Sequence, residues 1–315
     1  MSFCQKYGFK SNLFLAPMEA CSDVAFRTLC YEQGAALTYI EMIRAYAITK
    51  KKKNMLEKLD PSPKIRQGLQ LAAVKVNELK KTLRHIKERQ EENDPKFLNI
   101  ETIDLNLGCP SPGLISEGAG PALLKRTARV KELFEVIKSE WNGPVSAKMR
   151  LGMNEKEKRN KVYLRALQAA EHVGLDWVTV HPKTVDEDSN KPIDMEALKE
   201  CVESVSIPII GNGFVTSEAS AERMLETGVS GMMIARAAVG DPHVFRRINS
   251  FVAEGKKISM PARSDFEDCL QKYLTIAEAA NVPKYYVDYH TQAFKQKISG
   301  EWKHFHSPKT FDRWS

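Results

Sequence analysis

The chain lacks the marks of several familiar protein classes. Six cysteines in 315 residues are too few for a disulfide scaffold. They form no CxxC pair, so the signature of a zinc ribbon or a thioredoxin-type centre is missing, and no metal is expected. No stretch approaches the roughly 20 apolar residues of a membrane helix. The opening MSFCQKYGFKSNLFLAPMEA holds only a four-residue apolar run before its proline, too short for the apolar region of a signal peptide. The expectation is a cytoplasmic protein with reduced thiols and no membrane partner. Charge of one sign is also scarce: 47 Lys+Arg against 40 Asp+Glu leave +7, which permits an anionic partner without requiring one. No repeat or low-complexity tract occurs. What is present is a folding composition, with 43% hydrophobic and 28% charged residues.

Length leaves two divisions open: two medium domains, or one barrel with an appendage. Short β-rich runs at 13–16, 36–40, 65–71, 102–107, 145–149, 177–180, 207–210 and 231–234 alternate with helical patterns. Most of these runs read as apolar on both faces, as in a parallel sheet covered by helices. Between them, apolar residues recur at three- and four-residue steps: Val76, Leu79, Leu83 and Ile86, then Val130, Leu133, Phe134 and Ile137. Eight strand candidates give the count of a TIM (β/α)8 barrel. An open doubly wound sheet competes, but it normally carries a Gly-rich turn after its first strand, and here that strand ends in Ala16-Pro17-Met18. The alternation stops near Phe245. A polar stretch at 253–264 reads as a linker, and 265–280 has helical spacing. The fold expected is α/β, a barrel over residues 1–250 with a small helical C-terminal domain over 251–315.

A barrel does its chemistry at the C-terminal ends of its strands. Those positions hold Pro17-Met18, Glu41-Met42, Gln70, Asn106 to Cys109, Lys148 with Arg150, His181, Asn212-Gly213 and Ala235-Arg236. Polar residues gather at one end of nearly every strand. Lys148 and Arg150 are two apart and point the same way on an extended chain, which suits an anionic or electron-rich ligand. Glycine after strand seven lets backbone N–H groups approach an anion, and Arg236 after strand eight can grip a phosphate by paired hydrogen bonds. Cys109 sits in a Gly-Cys-Pro turn, a poor place for a buried apolar thiol. It can serve as a proton donor or as a nucleophile, and spacing does not choose between them.

At these residues the sequence resembles the tRNA-dihydrouridine synthase family, over residues 15–245. The most specific match is Asp104-Leu105-Asn106-Leu107-Gly108-Cys109-Pro110, with Gly118, Gly120 and Ala122-Leu123-Leu124 downstream. Ala16-Pro17-Met18 with Ser22-Asp23 and Phe26 to Glu32 is similar to the family's opening motif. The resemblance implies an FMN enzyme that uses NADPH to reduce a uracil ring in tRNA. Hydride would go to C6, and Cys109 would give a proton to C5. It implies that Pro17 and Met18 line the flavin and that Gln70, Lys148 and His181 contact its ring or ribityl chain. Asn212, Gly213, Ala235 and Arg236 would hold its phosphate end, and Asn106 and Arg150 would face the uracil. Five places depart from the family pattern. Pro182-Lys183-Thr184 replaces Gly-Arg-Thr, Phe214 replaces an Asp, Ala235 replaces a Gly, Glu19-Ala20-Cys21 replaces a small Gly-containing stretch, and Ala72-Ala73 replaces a Gly after Gln70.

Residues 284–315 carry eight aromatics, six Lys/Arg and three His, a composition suited both to stacking on RNA and to an inward-packed helical core. The lysine run at 50–53 reads as a solvated face or an RNA-facing patch. Two other functions stay in view: an FMN barrel acting on a small pyrimidine or related metabolite, and an RNA-binding relic without flavin.

Overall fold

In the computed structural model, which describes residues 2–52, 56–59, 65–188 and 191–300, eight strands close into a barrel. They are β1 (Leu13–Leu15), β2 (Leu37–Arg44), β3 (Gln67–Ala72), β4 (Ile100–Leu107), β5 (Val145–Met149), β6 (Trp177–Val180), β7 (Ile209–Asn212) and β8 (Gly231–Ile234). Each pairs in parallel with the next, and β1 closes on β8 with Leu13 opposite Met232 and Leu15 opposite Ile234. The architecture is the expected TIM barrel.

Helices α1 (Val24–Glu32), α2 (Val76–Glu91), α3 (Thr127–Glu140), α4 (Val162–Val173), α5 (Met195–Glu203) and α6 (Glu218–Leu225) surround it. Their apolar stripes explain the packing. Leu79, Leu83 and Ile86 of α2 and Val130, Leu133, Phe134 and Ile137 of α3 are all buried. On the strands, Leu13, Leu15, Ile103, Leu105, Val145, Ala147, Met232 and Ile234 join this outer core.

The inward faces are different, and here the two-sided apolar reading needs correction. Lower in the barrel, Phe14, Leu37, Tyr39, Trp177, Ile210 and Met233 form a separate apolar cluster. The rings of Phe3, Tyr7 and Phe9 plug its end, with Tyr7 and Trp177 centroids 5.3 Å apart. Above that cluster the alternate positions are polar: Asp104 and Asn106 on β4, Gln70 on β3, Ser146 on β5 and Asn212 on β7 are buried. The core thus turns polar toward one end, as a cup with a polar floor. Gly68 is required beside it, because a Cβ there would lie 2.5 Å from the Tyr39 ring.

Helices α7 (Val244–Glu254), α8 (Arg263–Ala279) and α9 (Lys284–Ser299) follow the barrel. The irregular segment between α7 and α8 is therefore shorter than the polar composition implied. Helix α9 packs beside the end of β2 and the segment after β1. Its Tyr286 hydroxyl donates to Glu41 at 2.7 Å, and His290 Nε2 lies 2.7 Å from the Cys21 carbonyl and 3.2 Å from Asp23. Asp23 also caps α1 by accepting from the Ala25 and Phe26 N–H groups. Of the tail aromatics, Tyr286 and Phe294 pack inward and Tyr285 is exposed. Trp302, Phe305, Phe311 and Trp314 lie outside the described residues, as does Lys53.

Candidate active site

Two groups of the expected residues come together at the C-terminal end of the barrel. The first is a series of hydrogen bonds on its floor. Asn106 Oδ1 accepts from the backbone N–H groups of Gly108 (3.1 Å) and Cys109 (2.9 Å). Asn106 Nδ2 donates to Gln70 Oε1 at 2.7 Å, and Gln70 Nε2 donates to Asp104 Oδ2 at 2.8 Å. Arg150 ties the same loop from the other side. Its Nε donates to the Gly108 carbonyl at 3.0 Å and its Nη1 to the Thr184 carbonyl at 2.8 Å. The loop that carries Cys109 is thus held by side chains of β4 and of the segment after β5.

The second group lines a cavity of about 700 Å³ that includes His181, Asn212, Gly213, Ala235 and Arg236. Asn212 is partly committed to the frame, since its Nδ2 donates to the Met233 carbonyl at 2.8 Å. Gly213 has φ +119°, and a Cβ there would sit 2.9 Å from His181 Cδ2 and from Ile193. Only glycine brings the backbone this close to the imidazole. The same cavity reaches Asp241, Arg247, Met260 and Lys297. Helix α9 therefore contributes to its wall, which the strand-end reading missed. Long-range packing of this kind leaves no local sequence signal.

Electrostatics join the two groups. Burial, then repulsion by Arg150, pulls the Lys148 ammonium down to about 8. Burial, reinforced by Lys148, Arg150, Lys183 and Arg236, drives His181 well below its ordinary value, so its imidazole is neutral. Burial pushes the Cys109 thiol up, against opposing pulls that include Lys148 and Arg150. Burial raises Asp104 to about 6. Four cations bear on one histidine, which is an environment for an anion. Pro17 and Met18 follow β1 at the edge of this region, half-buried, with the Met18 N–H donating to Ser22 Oγ at 2.9 Å.

Two departures from the family pattern meet each other. Lys183 Nζ sits 5.0 Å from the centre of the Phe214 ring and donates to the Asp188 carbonyl at 2.8 Å and to the Lys191 carbonyl. Phe214 is 43% exposed and in the left-handed region at φ +56°. A cation–ring contact stands where an arginine and an aspartate are usual.

Comparison with known proteins identifies the family. The dihydrouridine synthase (Dus) family model matches residues 14–309. The chain is 30% identical to tRNA-dihydrouridine synthase B of Pseudomonas putida over 285 residues, 87% of this chain and 78% of that protein. It is 33% identical to tRNA-dihydrouridine synthase B of Klebsiella pneumoniae, over 79% of this chain and 75% of the relative. A probable tRNA-dihydrouridine synthase of Rickettsia bellii is 30% identical, over 87% and 82%. With the Asn106–Cys109 loop, the polar cup and the closed barrel all in place, the chain belongs to the dihydrouridine synthase family.

Proposed function

We propose that this protein reduces uridine to 5,6-dihydrouridine in tRNA, with FMN as its cofactor and NADPH as reductant. The observation that carries the reading is the Cys109 loop, pinned by Asn106 and Arg150, beside a cavity lined by His181, Asn212, Gly213 and Arg236. The cup fits a phosphate-bearing flavin. Gly213 leaves backbone exposed where a Cβ has no room. Arg236 and Asn212 line the same cavity, and the neutral His181 has no charge to repel a cationic neighbour. Pro17, Met18, Gln70 and Lys148 would border the ring system, and Asn212, Gly213, Ala235 and Arg236 the phosphate end. When bound, the reduced flavin supplies the hydride that goes to uracil C6.

Cys109 supplies the matching acid. Its burial keeps the proton on sulfur at neutral pH, so it can be given to C5 as the double bond is reduced. Asn106 holds the loop through two backbone N–H groups. Arg150 does so through the Gly108 carbonyl, and both would border the uracil. A uridine in folded RNA must leave its stack to reach such a pocket. Residues 251–315 would contact the RNA. With tRNA as substrate and NADPH as reductant, the proposal carries a cytoplasmic location.

The test compares the two remaining enzyme readings. Binding to bulk tRNA that weakens steeply with added salt is expected for an RNA enzyme. A yellow protein that reduces a free pyrimidine and ignores tRNA would move the assignment to a small-molecule oxidoreductase. A colourless protein that cannot be reconstituted with FMN would exclude both.

A further inference from the structure

The Asn106 and Gln70 side chains end in amides whose oxygen and nitrogen have nearly the same shape. Their partners alone decide which end faces which way. The Gly108 and Cys109 N–H groups can only donate, so Asn106 must offer them Oδ1. Its Nδ2 then faces Gln70, which must offer Oε1. Gln70 Nε2 consequently faces Asp104, which must accept. On the far side, Ser146 Oγ donates to Asp104 Oδ1 at 2.6 Å. With that proton committed, Ser146 accepts from the Tyr39 hydroxyl at 3.3 Å, and Tyr39 accepts from Trp177 Nε1 at 3.2 Å. Every donor in the series points toward Asp104 from both directions. All six side chains are at most 5% exposed, so water is a poor substitute for any member.

We propose that Asp104 is a positioning residue: its acceptor-only carboxylate sets the direction of the Gln70 and Asn106 amides and thereby holds the Cys109 loop in place. Burial raises Asp104 only to about 6, so the group is still a carboxylate at neutral pH. An amide in its place has one accepting and one donating end. If its oxygen accepts from Ser146, its NH2 must donate to Gln70. Gln70 and then Asn106 turn over, and the loop N–H groups meet an NH2. This inference rests on the proposed role of Cys109 only for its catalytic meaning; the polarity itself does not depend on that role.

The test therefore reads the loop without turnover. Iodoacetamide alkylation of Cys109 is followed by peptide mass spectrometry in full-length protein carrying Cys4→Ser, since Cys21, Cys30, Cys201 and Cys269 are buried. Asp104→Asn is expected to change the rate about tenfold, the scale of one lost buried hydrogen bond. The exchange Asp104→Asn with Gln70→Glu moves the carboxylate one place along the series. The relocated carboxylate then accepts from both neighbours, the original direction returns at Asn106, and the rate should return toward that of the parent, since two contacting changes of this kind compensate rather than add. A purely structural role for Asp104 predicts no such rescue. An unchanged rate in Asp104→Asn overturns the proposal. So does a double variant no closer to the parent than the single one, or a double variant that fails to fold. Dihydrouridine formation, measured separately, reports on the proposed function: rescue of alkylation with no activity in the parent protein would preserve the polarity and sink that reading.

Discussion

In the proposed function Cys109 acts as an acid. Burial raises its thiol above the ordinary cysteine range of about 8.5. Its alkylation rate should still be climbing with pH above that value. A plateau below pH 8 would mean a resident thiolate, and a nucleophile rather than a proton donor. Lys148 behaves in the opposite sense. Its pKa is depressed to about 8, so its positive charge is present below that pH and lost above it. FMN affinity, followed by quenching of flavin fluorescence, should weaken as pH rises from 7 to 9, and Lys148→Met should flatten that dependence. An affinity that stays constant across this range in the parent protein would remove Lys148 from the ligand's surroundings. At this scale the sequence placed its candidate residues on one rim, because a barrel brings successive strand ends together. It did not reveal Ser146, Tyr39 or the partner of Gln70. Those contacts join residues 34 to 138 positions apart and depend on strand register.

Among the elements, the strands were the most legible. Those at 145–149, 177–180 and 231–234 have the bounds expected from their apolar runs. β7 begins and ends two residues later, at Ile209 and Asn212, because the polar Asn212 still belongs to the ladder through Met233. The N-terminal helix Phe3–Tyr7 escaped notice, since five residues are too few to show a period. Helix α9 was expected only as part of a helical C-terminal domain, and its contacts at the rim were not expected. Its anchor is Glu41, which lies where the β2–β3 register shifts between Ile40 and Ile43. Glu41 Oε1 accepts from the Cys21 and Ser22 N–H groups and from Tyr286. Tyr286→Phe should lower unfolding free energy by about 1–3 kcal/mol, as expected when a buried acceptor loses a donor. Urea denaturation measures this. No change would mean that α9 is held by its apolar contacts alone.

The whole molecule is a barrel whose interior changes character along its axis. Aromatic rings fill the lower end, and a polar floor with converging cations fills the upper end. Helix α9 meets that upper end at Cys21, Asp23 and Glu41 and reaches the cavity wall through Lys297. The appendage and the cup are therefore neighbours, and RNA gripped by one would be near the other. The central claim is that the cup reduces uridine with Cys109 as the acid. The direct measurement supplies purified protein, FMN and NADPH with unmodified tRNA, and maps dihydrouridine by mass spectrometry. The parent protein should convert a defined uridine, and Cys109→Ala should retain flavin while losing most of the product. No dihydrouridine from the flavin-loaded parent, or parent-level conversion by Cys109→Ala, would contradict the account.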